Sequence, residues 1–221
     1  MQRLFDILLS GTAIFILAPL LLTVTILLRF TGEGEVLFAQ NRIGKAGAKI
    51  RILKFATMLK DSPKLGTGTV TLKHDPRVLP VGRVLRKTKI NELPQLFNIL
   101  KGDMSIIGPR PQTPRCFEAF PKRSREVIVS VRPGLSGVGS IFFRNEELMM
   151  HDADNADDMY DNIVMPFKGQ LEEWYVQNRS FVLYLLLIIS TIFVVISGKI
   201  PFLHSIFSST PRVPDELEPY I

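Results

Sequence analysis

Two apolar runs frame a polar, punctuated middle in this chain. The first, Ile7 to Leu28, is long enough to cross a bilayer as one helix. Its interior argues for something else. Pro19 stands near the middle, Ser10, Thr12, Thr23 and Thr25 are scattered through it, and Arg3 and Arg29 place a cation at each end. Equal charge at both ends gives no orientation bias. A helix broken at Ala18-Pro19 could enter and leave on one side, its freed carbonyls satisfied by Ser and Thr. The pattern therefore predicts a re-entrant membrane helix-break-helix over residues 1–30, with a plain spanning helix as the alternative. The run is too long for a signal peptide and lacks the small-residue cleavage pattern. The second run, Phe181 to Ser197, is shorter and reads as an interfacial helix, or one packed against the membrane segment, over residues 181–198. Residues 199–221, with Pro211, Pro214 and Pro219, read as a poorly ordered tail.

Between the runs the period changes. Leu37 to Gln40 and Ile50 to Lys54 are short β-type segments around Arg42-Ile43-Gly44-Lys45-Ala46-Gly47, which predicts a hairpin. Thr57 to Thr71 reads as a helix-to-loop stretch in which Gly66 and Gly68 allow movement. Further on, Asn91 is a strong helix N-cap, Pro94 is tolerated in a first turn, and Leu93, Leu96, Phe97 and Leu100 follow at the spacing of one apolar face. Lys101-Gly102 supplies a stop. A helix starting at Asn91 would put Glu92 at its N-terminus, where the dipole stabilises an anion and free amides could hold a phosphate. On spacing alone, a well-capped amphipathic helix without chemistry is the better reading.

Composition narrows the setting. The chain has 221 residues, 46% of them hydrophobic, and a net charge of +6. Mean hydropathy is +0.20, high for a soluble protein. The basic balance suits anionic lipid headgroups and phosphorylated ligands. Nucleic acid is set aside, because no dense basic run carries interleaved aromatics. One cysteine, Cys116, allows no intramolecular disulfide and has no metal-ligand neighbours in sequence. His74, His151 and His204 are too dispersed to form a site. The acidic patch Asp152, Asp154, Asp157, Asp158 and Asp161 lacks the Gly and terminal Glu of an EF-hand loop and reads as a solvated face.

The stretch Leu85 to Pro111, LRKTKINELPQLFNILKGDMSIIGPRP, carries the most information. It resembles the signature of the bacterial sugar transferases, the small monotopic phosphoglycosyl transferases. Three other blocks resemble that family in the same order: Gln40 through Arg42, Gly44 and Gly47 to Lys54-Phe55-Ala56-Thr57-Met58; Asp75-Pro76-Arg77 through Gly82 to Arg86; and Arg132-Pro133-Gly134-Leu135-Ser136-Gly137. Ordered blocks over most of residues 1–198 are more specific than any lone motif. The resemblance implies transfer of a phosphosugar from a nucleotide diphosphate sugar, a UDP-sugar in most members, to polyprenol phosphate. The products are polyprenyl diphosphate sugar and UMP, in the first membrane step of glycoconjugate biosynthesis. It also implies a re-entrant anchor, Mg2+, and an Asp-Glu pair whose Asp attacks the sugar-bearing phosphorus.

Carried over by position, the Glu is Glu92, but the Asp position holds Asn91. A carboxamide is a poor nucleophile and a weaker Mg2+ ligand than a carboxylate. Ala56 also replaces an Arg of the family block, and Tyr184 stands where the family's second apolar segment usually has an Asp. Glu92 and Asn91 are the expected catalytic and metal-binding pair. Arg86, Arg110, Lys54, Pro109 and Arg132 are the expected substrate-binding residues, with Arg110 stiffened by Pro109 and Pro111. Asp103 reads equally as a turn residue or a metal ligand, Glu172 falls where the family often has an Asp, and neither is expected to be catalytic. The sequence thus predicts an α+β chain, mainly helical. A re-entrant hairpin precedes a membrane-associated cytoplasmic transferase domain (residues 31–180) with a short β-hairpin, on the cytoplasmic face of a bacterial inner membrane. Expected partners are a nucleotide diphosphate sugar, polyprenol phosphate and membrane lipids; a homodimer stays open. The competing reading, motivated by Asn91, is a catalytically impaired or non-catalytic membrane binding protein on the same scaffold.

Overall fold

Helix α1 runs from Gln2 to Arg29, about 42 Å at 1.5 Å per residue. Asp6, Ser10, Val24 and Leu28 are buried along one stripe, with Ala13, Ile14, Leu20 and Leu21 packed between them. The intervals of three and four keep these residues on a single face. Leu4, Leu8, Phe15, Ile16, Leu22 and Ile26 remain exposed. Both ends rest on the same body. Near the start, the guanidinium of Arg3 donates to the carbonyls of Ile99 (2.6 Å) and Leu100 (2.9 Å). Near the end, Val24 and Leu28 pack with Phe55 and Leu85. The expected break at Ala18-Pro19 is not found, since helix continues on both sides of Pro19. Proline withdraws one N–H, and the docked stripe on either side holds the helix in register across the gap.

The computed structural model describes residues 1–62, 75–144, 146, 156–198 and 209–220. Strands β1 (Leu37–Ile43) and β2 (Lys49–Phe55) form the antiparallel hairpin that the alternation predicts. Its turn needs left-handed backbone at Ala46 (φ 56°) and Gly47 (φ 73°). Met58 then bridges to Val78 instead of starting a helix; residues 63–74, with Gly66, Gly68 and His74, lie outside the described part, as do His151 and His204. Next come α2 (Pro80–Lys87), a 3-10 turn at Ile90–Glu92, α3 (Gln95–Lys101) and β3 (Ser105–Ile107). They are followed by α4 (Pro114–Glu118), α5 (Lys122–Ile128), β4 (Gly134–Ser136), parallel to β3, and α6 (Val138–Phe142). The last part holds α7 (Ala156–Met159), a π-helical turn (Tyr160–Val164), α8 (Met165–Asn178), α9 (Phe181–Ser197) and a 3-10 segment, Asp215–Tyr220. The chain is thus mainly helical, with a short hairpin and an apolar N-terminal helix.

The main core gathers Val138, Ile141 and Phe142 of α6, Phe167, Leu171 and Tyr175 of α8, and Leu183, Tyr184 and Leu187 of α9. Helix α9 buries that stripe and exposes Val182, Ile189, Ile192, Phe193 and Ile196, so it packs against the body and keeps an uncovered apolar face. Two apolar helices are tied together at Asp6. Its Oδ1 accepts from Ser105 Oγ (3.0 Å), Ile106 N–H (3.0 Å) and Tyr184 O–H (2.9 Å). Tyr184, the departure noted in the sequence, is therefore the α9 half of this contact. Within the described part of the tail, residues 209–220, Leu217 is completely buried in the main core, unlike the loose extension expected. One apolar side chain in a core slot holds the final residues despite their prolines.

Candidate active site

Strand alternation decides which side chains of the hairpin face α3. Ile50 and Ile52 pack beneath α3, and residues two apart share a face, so Lys54 points the same way. Arg42 lies opposite Ile50 and Gln40 opposite Ile52, which puts both on that face too. The 3-10 turn at Ile90–Glu92 meets the end of β2, and Lys54 Nζ reaches Glu92 Oε1 at 3.3 Å. From the other side Arg110 grips the same carboxylate with two nitrogens, Nη2 to Oε1 at 2.5 Å and Nη1 to Oε2 at 3.2 Å. Three residues far apart in sequence thus form one ion-paired cluster, with Glu92 13% exposed, Lys54 17% and Arg110 29%.

Burial alone would raise the Glu92 pKa, but Arg110 and Lys54 overcome it and hold the carboxyl well below the ordinary range. Attraction to Glu92 raises Arg110. Burial pushes Lys54 down to about 8, aided by repulsion from Arg110 and Arg42 and opposed by Glu92. Arg42 is the residue that sequence reasoning missed. Its guanidinium donates to Gln40 Oε1 (2.6 and 3.1 Å) and to the Pro111 carbonyl (3.2 Å), all neutral acceptors. Burial and then Arg110 push it down to about 10, still protonated at neutral pH. No carboxylate pairs with it among the described residues. Three cations therefore face one carboxylate, and the surplus positive charge suits an anion such as a diphosphate. The signal was available, since Arg42 and Lys54 have the same parity across a hairpin whose register the turn fixes.

Asn91 does not cap a helix. Lys89 adopts a left-handed φ of 60°, the chain makes the 3-10 turn, and α3 begins only after Pro94. Pro94 has no N–H to return to Ile90, so the hydrogen-bond ladder restarts beyond it. The face also rotates: Leu96, Asn98 and Ile99 are buried, while Phe97 is 47% exposed. Gly102 ends the helix as expected, at φ 99°. The side chain of Asn91 is buried, and its Oδ1 has no hydrogen-bond partner. An orphaned buried oxygen is costly unless a cation or donor occupies its vicinity.

The remaining predicted residues separate. Pro109 carries no charge but fixes Arg110, and its carbonyl accepts from Gly134 N–H at 2.9 Å. Arg86 is half-buried on α2, where its charge helps lower the carboxyl of Asp75 after that group's bonds to Arg77. Arg132 is exposed and donates Nε to the Gly102 carbonyl at 2.9 Å, so it caps the far end of α3 and does not join the cluster. Asp103 pairs with Lys101 at 3.0 Å. Glu172 is fully buried, and burial pushes its carboxyl up to about 7. Among the described residues no group of three or more His, Cys, Asp or Glu is arranged to hold a metal ion. One carboxylate and one orphaned amide oxygen still fit Mg2+, which binds few protein oxygens and completes its shell with water and substrate phosphate.

Comparison with known proteins places these residues in context. The family model described as bacterial sugar transferase matches residues 1–198. The chain is 36% identical over 199 residues to the UDP-N-acetylgalactosamine-undecaprenyl-phosphate N-acetylgalactosaminephosphotransferase of Aeromonas hydrophila, covering 89% of this chain and 44% of that protein. It is 33% identical over 205 residues to the exopolysaccharide production protein ExoY of Sinorhizobium fredii, covering 86% and 83%. It is 37% identical over 144 residues to the UDP-glucose:undecaprenyl-phosphate glucose-1-phosphate transferase of Caulobacter vibrioides, covering 63% and 53%. The chain thus spans less than half of the Aeromonas protein and most of the Sinorhizobium one.

Proposed function

This chain belongs to the bacterial sugar transferase family, and we propose that it transfers a phosphosugar from a nucleotide diphosphate sugar to polyprenol phosphate. A UDP-sugar as donor and undecaprenyl phosphate as acceptor follow the names of its relatives. The products would be polyprenyl diphosphate sugar and UMP, opening the synthesis of a polysaccharide or other glycoconjugate. The observation that carries this reading is the Lys54–Glu92–Arg110 cluster with Arg42 beside it. Such a cluster neutralises a diphosphate and steadies the charge that builds on the leaving nucleoside monophosphate.

Arg110, stiffened by its flanking prolines, is suited to grip two phosphate oxygens once it exchanges Glu92 for ligand. Lys54 and Arg42 supply charge from the hairpin face. Glu92 holds Arg110 and Lys54 in place before substrate arrives. Mg2+ would be held by Glu92 and the Asn91 oxygen, and when bound it supplies further neutralisation of the diphosphate. Asn91 enters as a neutral oxygen donor, with no covalent step assigned to it.

The setting follows from the apolar surface. Helix α1 is long and apolar enough to cross a membrane, yet its two ends are docked on one body. That arrangement supports a monotopic placement, with α1 unbroken, in which the exposed faces of α1 and α9 enter one leaflet of the inner membrane from the cytoplasmic side. The test is nucleoside monophosphate release from a panel of UDP-sugars with undecaprenyl phosphate and Mg2+. We expect turnover by this protein and a loss of about 100-fold or more in Arg110→Gln. An unchanged rate in that variant, or no release from any donor, overturns the proposal.

A further inference from the structure

Prolines on both sides of Arg110 have no N–H, so the Pro109–Pro111 stretch offers one main-chain donor. That donor, the Arg110 N–H, bonds to Glu172 Oε1 at 3.2 Å. The neighbouring carbonyls are held too, Pro109 by Gly134 N–H at 2.9 Å and Pro111 by Arg42 Nη1 at 3.2 Å. Three successive main-chain groups thus anchor the arginine, and one of the anchors is a carboxyl with 0% exposure.

The surroundings are shaped around that carboxyl. A Cβ added at Gly139 would stand 2.6 Å from Glu172 Oε1 and 3.2 Å from its Cδ, so a larger residue there must displace the carboxyl. Oε2 is buried without a partner. Lys168, one turn earlier on α8, is engaged elsewhere: its Nζ pairs with Glu146 at 2.8 Å and lies 4.8 Å from the centre of the Phe143 ring. A buried acid with one free oxygen is a poor packing choice on a helix that gives Phe167, Leu171 and Tyr175 to the main core. Its hydrogen bond to Arg110 gives it a task.

We infer that Glu172 is a positioning residue for the transfer reaction, holding the Arg110 main chain so that the guanidinium meets Glu92 and a donor phosphate in two-pronged geometry. This rests on the phosphate-binding role proposed above for Arg110. The groups facing the carboxyl are Lys168 and Tyr175 from its own helix and Arg110 from the loop. Burial raises its pKa to about 7, against the pull of the Arg110 N–H and Lys168. Either protonation state keeps an oxygen able to accept an N–H, so the acceptor matters more than the charge.

The experiment measures kcat and KM for nucleoside monophosphate release in Glu172→Gln and Glu172→Met, each in the parent and in an Arg110→Lys background, with melting temperatures recorded. Glutamine retains an acceptor and should stay within about threefold of the parent. Methionine should lower kcat/KM about 100-fold through a misplaced guanidinium, and its effect should shrink severalfold once Arg110→Lys has removed that guanidinium. Gly139→Ala, which crowds the carboxyl without replacing it, should reproduce the methionine loss and carries the test if Glu172→Met does not fold. Equal losses in the Gln and Met variants, or a Met effect unchanged in the Arg110→Lys background, overturn this inference alone. A parent that releases nothing from any donor overturns the transfer reading and this one with it.

Discussion

Replacing Glu92 by Gln removes the one anion between Lys54, Arg110 and Arg42 while keeping its shape. Both carboxylate oxygens are engaged, at 2.5 and 3.2 Å by Arg110 and at 3.3 Å by Lys54. Breaking a buried ion pair from one side costs about 3–5 kcal/mol. These side chains keep 13–29% exposure, so the lower end applies, about 3 kcal/mol. For a chain of this length that is a melting temperature lower by about 6–12 °C. The loss belongs to neutral pH. The folded pKa of Glu92 is depressed, so its contribution is present above the ordinary carboxyl range and lost as pH falls through the folded value. Glu92→Gln should therefore flatten the acid limb of stability. It also frees Arg110 from an internal competitor, so inorganic pyrophosphate, added without Mg2+, should bind the variant about tenfold more tightly, equivalent to about 1.4 kcal/mol. The assay is thermal melting in detergent across a pyrophosphate titration, at pH 7.5 and in steps down to acid. A variant that melts with the parent at pH 7.5 and shows the same pyrophosphate shift would refute the reasoning, because the carboxylate would then not be holding the cations.

Two further predictions follow from other groups. Lys54 has a folded pKa lowered to about 8, so kcat/KM for the donor should decline as pH rises through that value while Lys54 loses its charge, and Lys54→Arg should move the decline upward; a profile identical in both proteins would remove Lys54 from the site. Asp6 accepts from three donors at one oxygen, so Asp6→Leu, which strands the Ile106 N–H and the Tyr184 hydroxyl, should cost about 3 kcal/mol by thermal melting, while Asp6→Asn keeps an acceptor and costs less.

The sequence by itself determined the kinds of elements and where most of them lie. Alternation around a Gly-containing turn made the β1–β2 hairpin legible, because period two and turn chemistry are local properties. The stop at Gly102 and the two apolar runs were legible for the same reason, and the ordered motifs pointed to the family and to Glu92, Arg110 and Lys54. Tertiary structure decided the rest. Asn91 looked like a cap because capping is a local preference, yet the left-handed Lys89 and the N–H missing from Pro94 moved the helix start past it. Arg132 and Arg110 are both arginines beside prolines; only the fold sends one to Glu92 and the other to the end of α3. Leu217 sits in a proline-punctuated tail, and its core slot is built by residues distant in sequence. Arg42 and Glu172 acquire their relation to Arg110 only when the hairpin, the proline loop and α8 converge. Hydrophobic period and turn chemistry act over a few residues and can be read along the chain. Which charge meets which, and which end of a helix finds a partner, depends on long-range packing that no local pattern encodes.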